Sequence, residues 1–199
     1  GAGEDYYAAD NNHLNQVLRR RRGNPISLAI VQIEVATRLD LPVHGISFPG
    51  HFLTALDLGD DAALVMDPYN GGRPLGLEKL EALAAHHLGG EPPEPALLIR
   101  LLMPTPPRGI VMRLLRNLQR SHTQADQWHK VARCADRLLL LAPENTDALR
   151  DRGLAYLALW ALRPKTMKLP WKDELMFILI GITGGSFYFY LQNTAAAHT

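Results

Sequence analysis

A proline-rich stretch, Pro104–Pro107, divides the chain into two parts whose residue patterns differ. Before it, strand-like and helix-like runs alternate, which predicts an α+β domain over residues 1–103. After it, residues 109–162 have a helical pattern only, with short connections between helices. Residues 163–199 differ again, because a basic stretch precedes an apolar run at about residues 175–191. We therefore expect an α+β core, an all-α segment and a tail.

Charge and cysteine content exclude several classes of function. The net charge is +1 and the pI is about 8.1, which argues against a dedicated nucleic-acid binder. Cys134 is the single cysteine, so neither a disulfide within the chain nor a zinc site of the Cys-x-x-Cys kind can form. His86 and His87 are adjacent and would point to different sides of a helix. The sequence therefore indicates no metal site and no cofactor.

Three residues could together carry acyl-transfer chemistry. Asn24 is a good N-cap and Pro25 suits the first helical position, so a helix is predicted from Pro25 to about Leu39, buried on most sides. Ser27 falls in its first turn, His51 begins a predicted strand, and Asp67 ends the neighbouring one. A nucleophile at a helix N-terminus, a base and a carboxylate that orients the base are what this chemistry needs. The alternative is that Ser27 only helps to cap the helix.

Three separated motifs occur in a fixed order: the string from Asp5 to Leu28, then Phe48–Leu53, then Asp67–Gly72. Together they resemble the SirB1 family of transglutaminase-like proteins, over roughly residues 4 to 160. The resemblance implies a papain-like core in which Ser27 takes the place of the transglutaminase cysteine, with His51 and Asp67 as its partners. It also implies a tetratricopeptide-like helical segment, and a further region before Gly1 that covers one side of the core.

The serine at position 27 leaves two functions open. A thiol can be held as a thiolate by a helix N-terminus and an imidazolium, whereas an alcohol must lose its proton during attack. We expect a non-catalytic accessory or scaffold protein that does not work as a cysteine enzyme. The alternative is an amide or ester hydrolase, or an acyl transferase, that uses Ser27, His51 and Asp67. A third hypothesis is a membrane-complex subunit whose tail is the functional part.

Partners and location are predicted from the two C-terminal segments. The helices of residues 109–162 predict a surface that binds a protein partner, although they could instead pack on the core as a lid. The apolar run at about 175–191 would span roughly 25 Å as a helix, which predicts a single transmembrane helix. Basic residues precede this run and none follows, so we expect a membrane anchor with the globular part on the cytoplasmic or organelle-matrix side. A cytoplasmic protein is the alternative.

Overall fold

A computed structural model of the chain describes residues 6–60 and 62–162, together with residues 172, 175 and 179. The chain divides into two compact units between Leu114 and Leu115. The sequence predicts this boundary near residues 104–109, whereas the structure has it inside a helix that begins at Pro107. The first turns of that helix belong to the first unit because Ile110 and Leu114 pack against its core.

The first unit combines helices with one antiparallel sheet. A short 3-10 helix, Ala9–Asn12, precedes the other elements. They are α1 (Leu14–Arg20), α2 (Pro25–Arg38), β1 (Val43–Ile46), β2 (Leu53–Gly59), β3 (Ala62–Asp67), β4 (Arg73–Pro74), α3 (Leu77–Leu88), α4 (Pro95–Leu101) and the start of α5 (Pro107–Gln124). The strands pair in the order β1-β2-β3-β4.

Most of these elements agree with the sequence pattern. Helix α2 begins where it is predicted, and Asn24 and Pro25 occupy its expected cap and first-turn positions. Helix α4 is not predicted from the sequence, because its proline-rich surroundings resemble a loop. Pro95 nevertheless stands in its first turn, where a missing N–H costs nothing.

The sheet is covered on both faces. Successive side chains of a strand point to opposite faces, and β2 follows this rule. Thr54 points to α2, where its hydroxyl donates a hydrogen bond to Gln32 Oε1 at 3.1 Å. The opposite face packs with α3 and α4 in a buried cluster of Ile46, Phe48, Leu53, Ala55, Val65, Leu80, Ala84 and Leu98. This core fixes the start of β2, which follows His51, and the end of β3, which carries Asp67.

Helix α2 is buried at its start and open further along. The prediction that it is buried on most sides is confirmed for Ile26, Ser27 and Ala29, but Val35 is 51% exposed. Its outer apolar residues line a groove of about 520 Å³ with Leu56 and other sheet residues. A local pattern of apolar residues thus marked the helix correctly but overstated how much of it is covered.

The second unit contains the rest of α5, then α6 (Trp128–Leu141) and α7 (Thr146–Ala161). Val131 and Ala132 of α6 are buried together with Ala155 of α7, and Trp128 and Tyr156 pack against them. The helical pattern predicted for residues 109–162 is therefore observed. A tetratricopeptide-like arrangement is not confirmed.

The predicted transmembrane helix requires a correction to the fold class. No helix among the described residues is long and apolar enough to cross a membrane. Of the predicted span at about 175–191, only Leu175 and Leu179 are described, and both are exposed; the rest lies outside the described residues. As a helix the run reaches roughly 25 Å, short of the ~30 Å hydrocarbon core, and an apolar run alone does not distinguish a membrane span from other apolar segments. The single membrane helix, and the anchoring inferred from it, are therefore withdrawn.

Candidate active site

Ser27 closes a reciprocal cap at the start of α2. The Asn24 side chain accepts a hydrogen bond from the Ser27 backbone N–H at 3.0 Å, and the Asn24 backbone N–H donates to Ser27 Oγ at 3.1 Å. The Ser27 hydroxyl in turn donates to the Asn24 carbonyl oxygen at 3.1 Å. Both the donor and an acceptor site of the hydroxyl are therefore used by the helix terminus.

The Ser27 hydroxyl is also enclosed. The residue is 0% exposed. A Cβ placed on Gly23 would lie 2.5 Å from Ser27 Oγ and 3.0 Å from a methyl carbon of Val17, so only a glycine fits at position 23 without a shift of its neighbours. The backbone of Gly23 and the side chain of Val17 thus cover the hydroxyl from the α1 side.

Polar residues of the N-terminal string support this cap. The Asn24 side-chain amide donates to Asn12 Oδ1 at 2.7 Å, and both asparagines are buried. Asn11 donates to the carbonyl oxygen of Tyr6 at 3.1 Å. The Tyr6 ring meets the Tyr69 ring edge-on, with centroids 5.8 Å apart, beside the loop that follows Asp67. The asparagines and tyrosines of the first motif therefore build the surroundings of Ser27 and Asp67.

His51 lies just before β2, not within it as the sequence predicts. Its Nδ1 atom is 3.9 Å from Asp67 Oδ2, and the His51 side chain is 24% exposed. Nδ1 is buried and has no hydrogen-bond partner among the described residues. The structure thus brings His51 and Asp67 together, at a separation longer than a hydrogen bond.

Asp67 ends β3 as predicted and is buried. Its Oδ1 accepts hydrogen bonds from the backbone N–H groups of Tyr69 at 2.9 Å and Asn70 at 3.3 Å, and its Oδ2 accepts from the Asn70 side chain at 2.6 Å. The carboxylate therefore caps the 3-10 helix Pro68–Asn70. It holds the turn of the third motif as well as facing His51.

Arg113 is a site residue that the sequence analysis missed. From α5, its guanidinium donates to the carbonyl oxygens of Phe48 at 3.2 Å and His51 at 2.7 Å, and to Ser47 Oγ at 2.6 Å. It also lies over the Phe52 ring, 5.5 Å from the centroid. Burial lowers the pKa of Arg113, with a smaller opposing effect from Tyr6. The loop carrying His51 is thus held by a residue more than sixty positions away, which no local motif could reveal.

His87 touches the same loop from α3. A Cβ built on Gly50 would collide with the His87 ring, and Gly50 has a φ of +66° that favours glycine. The rings of His86 and His87 meet edge-on, with centroids 4.8 Å apart. No group of three or more histidine, cysteine or acidic residues suited to a metal ion occurs in the part of the chain that the structure describes.

These contacts define what the arrangement can do chemically. His51 and Asp67 form a pair in which the carboxylate could orient an imidazole, as a general base requires. Within residues 6–60 and 62–162, no hydrogen bond joins Ser27 to His51. The catalytic roles of Ser27, His51 and Asp67 stay a prediction.

Comparison with known proteins agrees with the three motifs. The sequence profile of the Transglutaminase-like superfamily matches residues 1–116. A UPF0162 protein of Xylella fastidiosa (strain Temecula1) is 56% identical over 159 residues, which are 80% of this chain and 56% of the relative. UPF0162 protein YchA of Escherichia coli (strain K12) is 31% identical over 76% of this chain and 55% of its own length. Protein SirB1 of Salmonella typhimurium is 28% identical over the same shares.

The chain spans just over half the length of these relatives. No solved structure matches it.

Proposed function

Since this chain belongs to the transglutaminase-like superfamily, among its UPF0162 and SirB1 proteins, we propose that it is a non-catalytic member that acts as an accessory or scaffold protein. The observation that carries the proposal is the state of Ser27. Its hydroxyl is fully buried and donates its proton to the Asn24 carbonyl oxygen. A nucleophile must instead be open to substrate and within hydrogen-bond reach of its base.

The chemistry of an alcohol strengthens this argument. A cysteine at a helix N-terminus can rest as a thiolate, because the helix dipole and a nearby imidazolium lower its pKa. Serine has no such resting state and depends on a base that takes its proton as it attacks. With Ser27 bonded to the Asn24 backbone on both its donor and acceptor sides, that transfer would first break the cap of α2.

The remaining two residues have structural duties that do not need catalysis. Asp67 caps the Pro68–Asn70 turn with both carboxylate oxygens engaged, and the His51 carbonyl oxygen accepts from Arg113. A core in which His51 and Asp67 hold loops in place, and in which Ser27 caps a helix, is consistent with a binding module. Its partner would be a protein, bound through the helical second unit.

The alternative is a hydrolase or acyl transferase that uses Ser27, His51 and Asp67. One observation favours it: His51 Nδ1 is buried 3.9 Å from Asp67 Oδ2 without a hydrogen bond among the described residues. An unsatisfied buried imidazole nitrogen is unfavourable. A small rotation of the His51 ring toward the Asp67 carboxylate would form a hydrogen bond that orients the imidazole as a base. This alternative additionally requires that the Ser27 hydroxyl leave its cap.

Labelling with a fluorophosphonate serine probe separates the two functions. Wild type would be compared with Ser27→Ala and His51→Ala, and with Thr37→Ala as a control at an exposed hydroxyl group of the same helix α2. Near-UV circular dichroism would verify that each variant is folded. We expect no labelling of any of the four proteins. Labelling that is lost in Ser27→Ala and His51→Ala but kept in Thr37→Ala would overturn the proposal and establish a serine nucleophile.

A further inference from the structure

The second unit contains a groove of about 550 Å³ between its helices. One wall is formed by α5, through Arg116, Gln119, Arg120 and Thr123. The other walls come from α6 and α7, and the apolar part of the lining consists of Trp128, Val131, Leu138, Ala148 and Leu154. A cavity of this size, with apolar and charged walls side by side, is large enough for several side chains of a bound peptide.

The two acidic residues in the groove share one arginine, Arg150, as their ionic partner. Arg150 of α7 lies 3.4 Å from Asp147 and 3.0 Å from Asp151, measured between side-chain nitrogen and oxygen atoms. The Asp151 carboxylate also accepts a hydrogen bond from Gln119 at 3.0 Å. These contacts form a network of their own within the groove, so its acidic charge does not face the α5 wall unpaired.

Arg116 and Arg120 of α5 take no part in this network of ion pairs. Both are exposed, and neither forms an ion pair with any of the residues that the structure describes. They are four residues apart on α5, so they lie on the same helix face with Cβ atoms about 5–6 Å apart, and their like charges repel. Such a pair is unfavourable in the free protein and gains most from a ligand that supplies negative charge at the same spacing.

We infer that this groove binds an extended acidic peptide segment of a protein partner, with two carboxylates on Arg116 and Arg120. Residues two apart in an extended chain point to the same side at a separation of about 7 Å, which the long side chains of two arginines with Cβ atoms about 5–6 Å apart can reach. The apolar lining around Trp128 and Leu154 suits a leucine-like side chain beside the carboxylates. The recognised sequence would therefore contain two acidic residues, with apolar residues between them or on either side of them.

A protein partner fits these features better than a nucleic acid does. A sugar-phosphate backbone is bound by a long basic stripe, whereas the groove has two arginines without an ion-pair partner among the described residues, beside an apolar lining. The net charge of +1 is also low for a nucleic-acid binder. This inference rests on the part of the proposed function that gives the second unit a protein partner, and it does not depend on the state of Ser27.

The test uses the capped peptide Gly-Leu-Glu-Gly-Glu-Leu-Gly and a neutral counterpart in which glutamine replaces both glutamates. Each would be titrated to about 1 mM, the concentration that detects weak affinities, into the 15N-labelled full chain. We expect the acidic peptide to shift the Arg116 and Arg120 side-chain resonances and the Trp128 indole resonance. The neutral peptide should leave them unchanged.

Two double variants make the result specific. Arg116→Gln with Arg120→Gln should weaken binding of the acidic peptide by about tenfold, because each exposed ion pair contributes up to about 1 kcal/mol. Arg133→Gln with Arg137→Gln is the matched control, since these two arginines are also exposed and four residues apart but lie on α6 outside the groove. This control should bind as wild type does.

Several outcomes would overturn the inference. They are no shift with the acidic peptide, equal shifts with the neutral peptide, equal weakening in both double variants, or tighter binding of a single-stranded oligothymidylate at the same resonances. The serine-probe result is independent of all these outcomes, so the failure of one proposal is distinguishable from the failure of the other.

Discussion

The Ser27 hydroxyl and the Asn24 backbone exchange two hydrogen bonds, each 3.1 Å long, at the buried start of α2. The Asn24 side chain also caps the helix, because its oxygen accepts a hydrogen bond from the Ser27 N–H at 3.0 Å. The residue that the sequence predicts as a nucleophile is therefore a structural part of the helix terminus. Its contribution can be measured as stability, independently of any activity.

Ser27→Ala should lower the free energy of unfolding by about 1–2 kcal/mol, because the buried Asn24 N–H loses its acceptor. Urea unfolding followed by far-UV circular dichroism would measure the change. Thr37→Ala is a control in the same helix, since the Thr37 hydroxyl bonds to the Ile33 carbonyl oxygen at an exposed position, and it should cost less than about 0.5 kcal/mol. Equal effects in the two variants would contradict a capping role for Ser27.

Arg113→Gln should destabilise the chain by about 2 kcal/mol, because the carbonyl oxygens of Phe48 and His51 lose a charged donor. Arg113→Lys should recover only part of this loss, since one ammonium cannot reproduce the guanidinium fork. Arg108→Gln is the control on the same helix, at an exposed position. The His51 ring resonances should move in Arg113→Gln and stay in place in Arg108→Gln; unchanged His51 resonances in both would show that Arg113 does not position this loop.

Gly50→Ala should cost more stability than Gly59→Ala. Both glycines have a positive φ, +66° and +79°, so alanine carries a backbone strain of about 1–2 kcal/mol at either. Only at Gly50 does the added Cβ also meet the His87 ring, whereas a Cβ at Gly59 has no described atom within 4 Å. Adding His87→Ala should therefore reduce the cost of Gly50→Ala to about that of Gly59→Ala. If His87→Ala does not reduce the cost of Gly50→Ala, or reduces that of Gly59→Ala equally, the collision is not the cause.

The free energy of unfolding should fall as the pH rises above about 9. Burial raises the pKa of the Cys134 thiol above its ordinary value of 9.0, against smaller opposing effects from Arg137 and Arg133. The folded state then keeps a proton that the unfolded chain has lost, so this contribution to stability is present below pH 9.0 and disappears as the pH rises through the folded-state pKa. In Cys134→Ala the free energy of unfolding should decline less steeply with pH than in wild type, as measured by urea unfolding at a series of pH values. Parallel declines in the two proteins would contradict a role for the Cys134 thiol.

Local signals were sufficient for much of the fold. Asn24 and Pro25 marked the start of α2 because a side-chain cap and a missing N–H are properties of a few neighbouring residues. The end of β3 at Asp67 was equally local, since it depends on short-range backbone preferences. Helix α4 was not predicted because the prolines before it are compatible with either a loop or a helix start.

Only part of the candidate site could be predicted from local sequence signals. The three motifs drew attention to Ser27, His51 and Asp67, but not to Arg113, whose hydrogen bonds to the His51 loop cross more than sixty residues. The burial of Ser27 likewise depends on how α1 and Gly23 pack over α2. The apolar run near the C-terminus was misjudged as a membrane span because hydropathy measures composition and does not specify an environment.

The amino-acid sequence alone determined the family, the α+β character of the first part, the helices of the second, and the order of the three motifs. These properties follow from side-chain type and spacing along a short stretch of chain. Only the tertiary structure decided how completely Ser27 is buried, how far His51 lies from Asp67, and which arginines of the helical groove have no acidic partner among the described residues. Each of these depends on distances between elements remote in sequence, and hydrogen bonds and ion pairs change strength over distances of about an ångström.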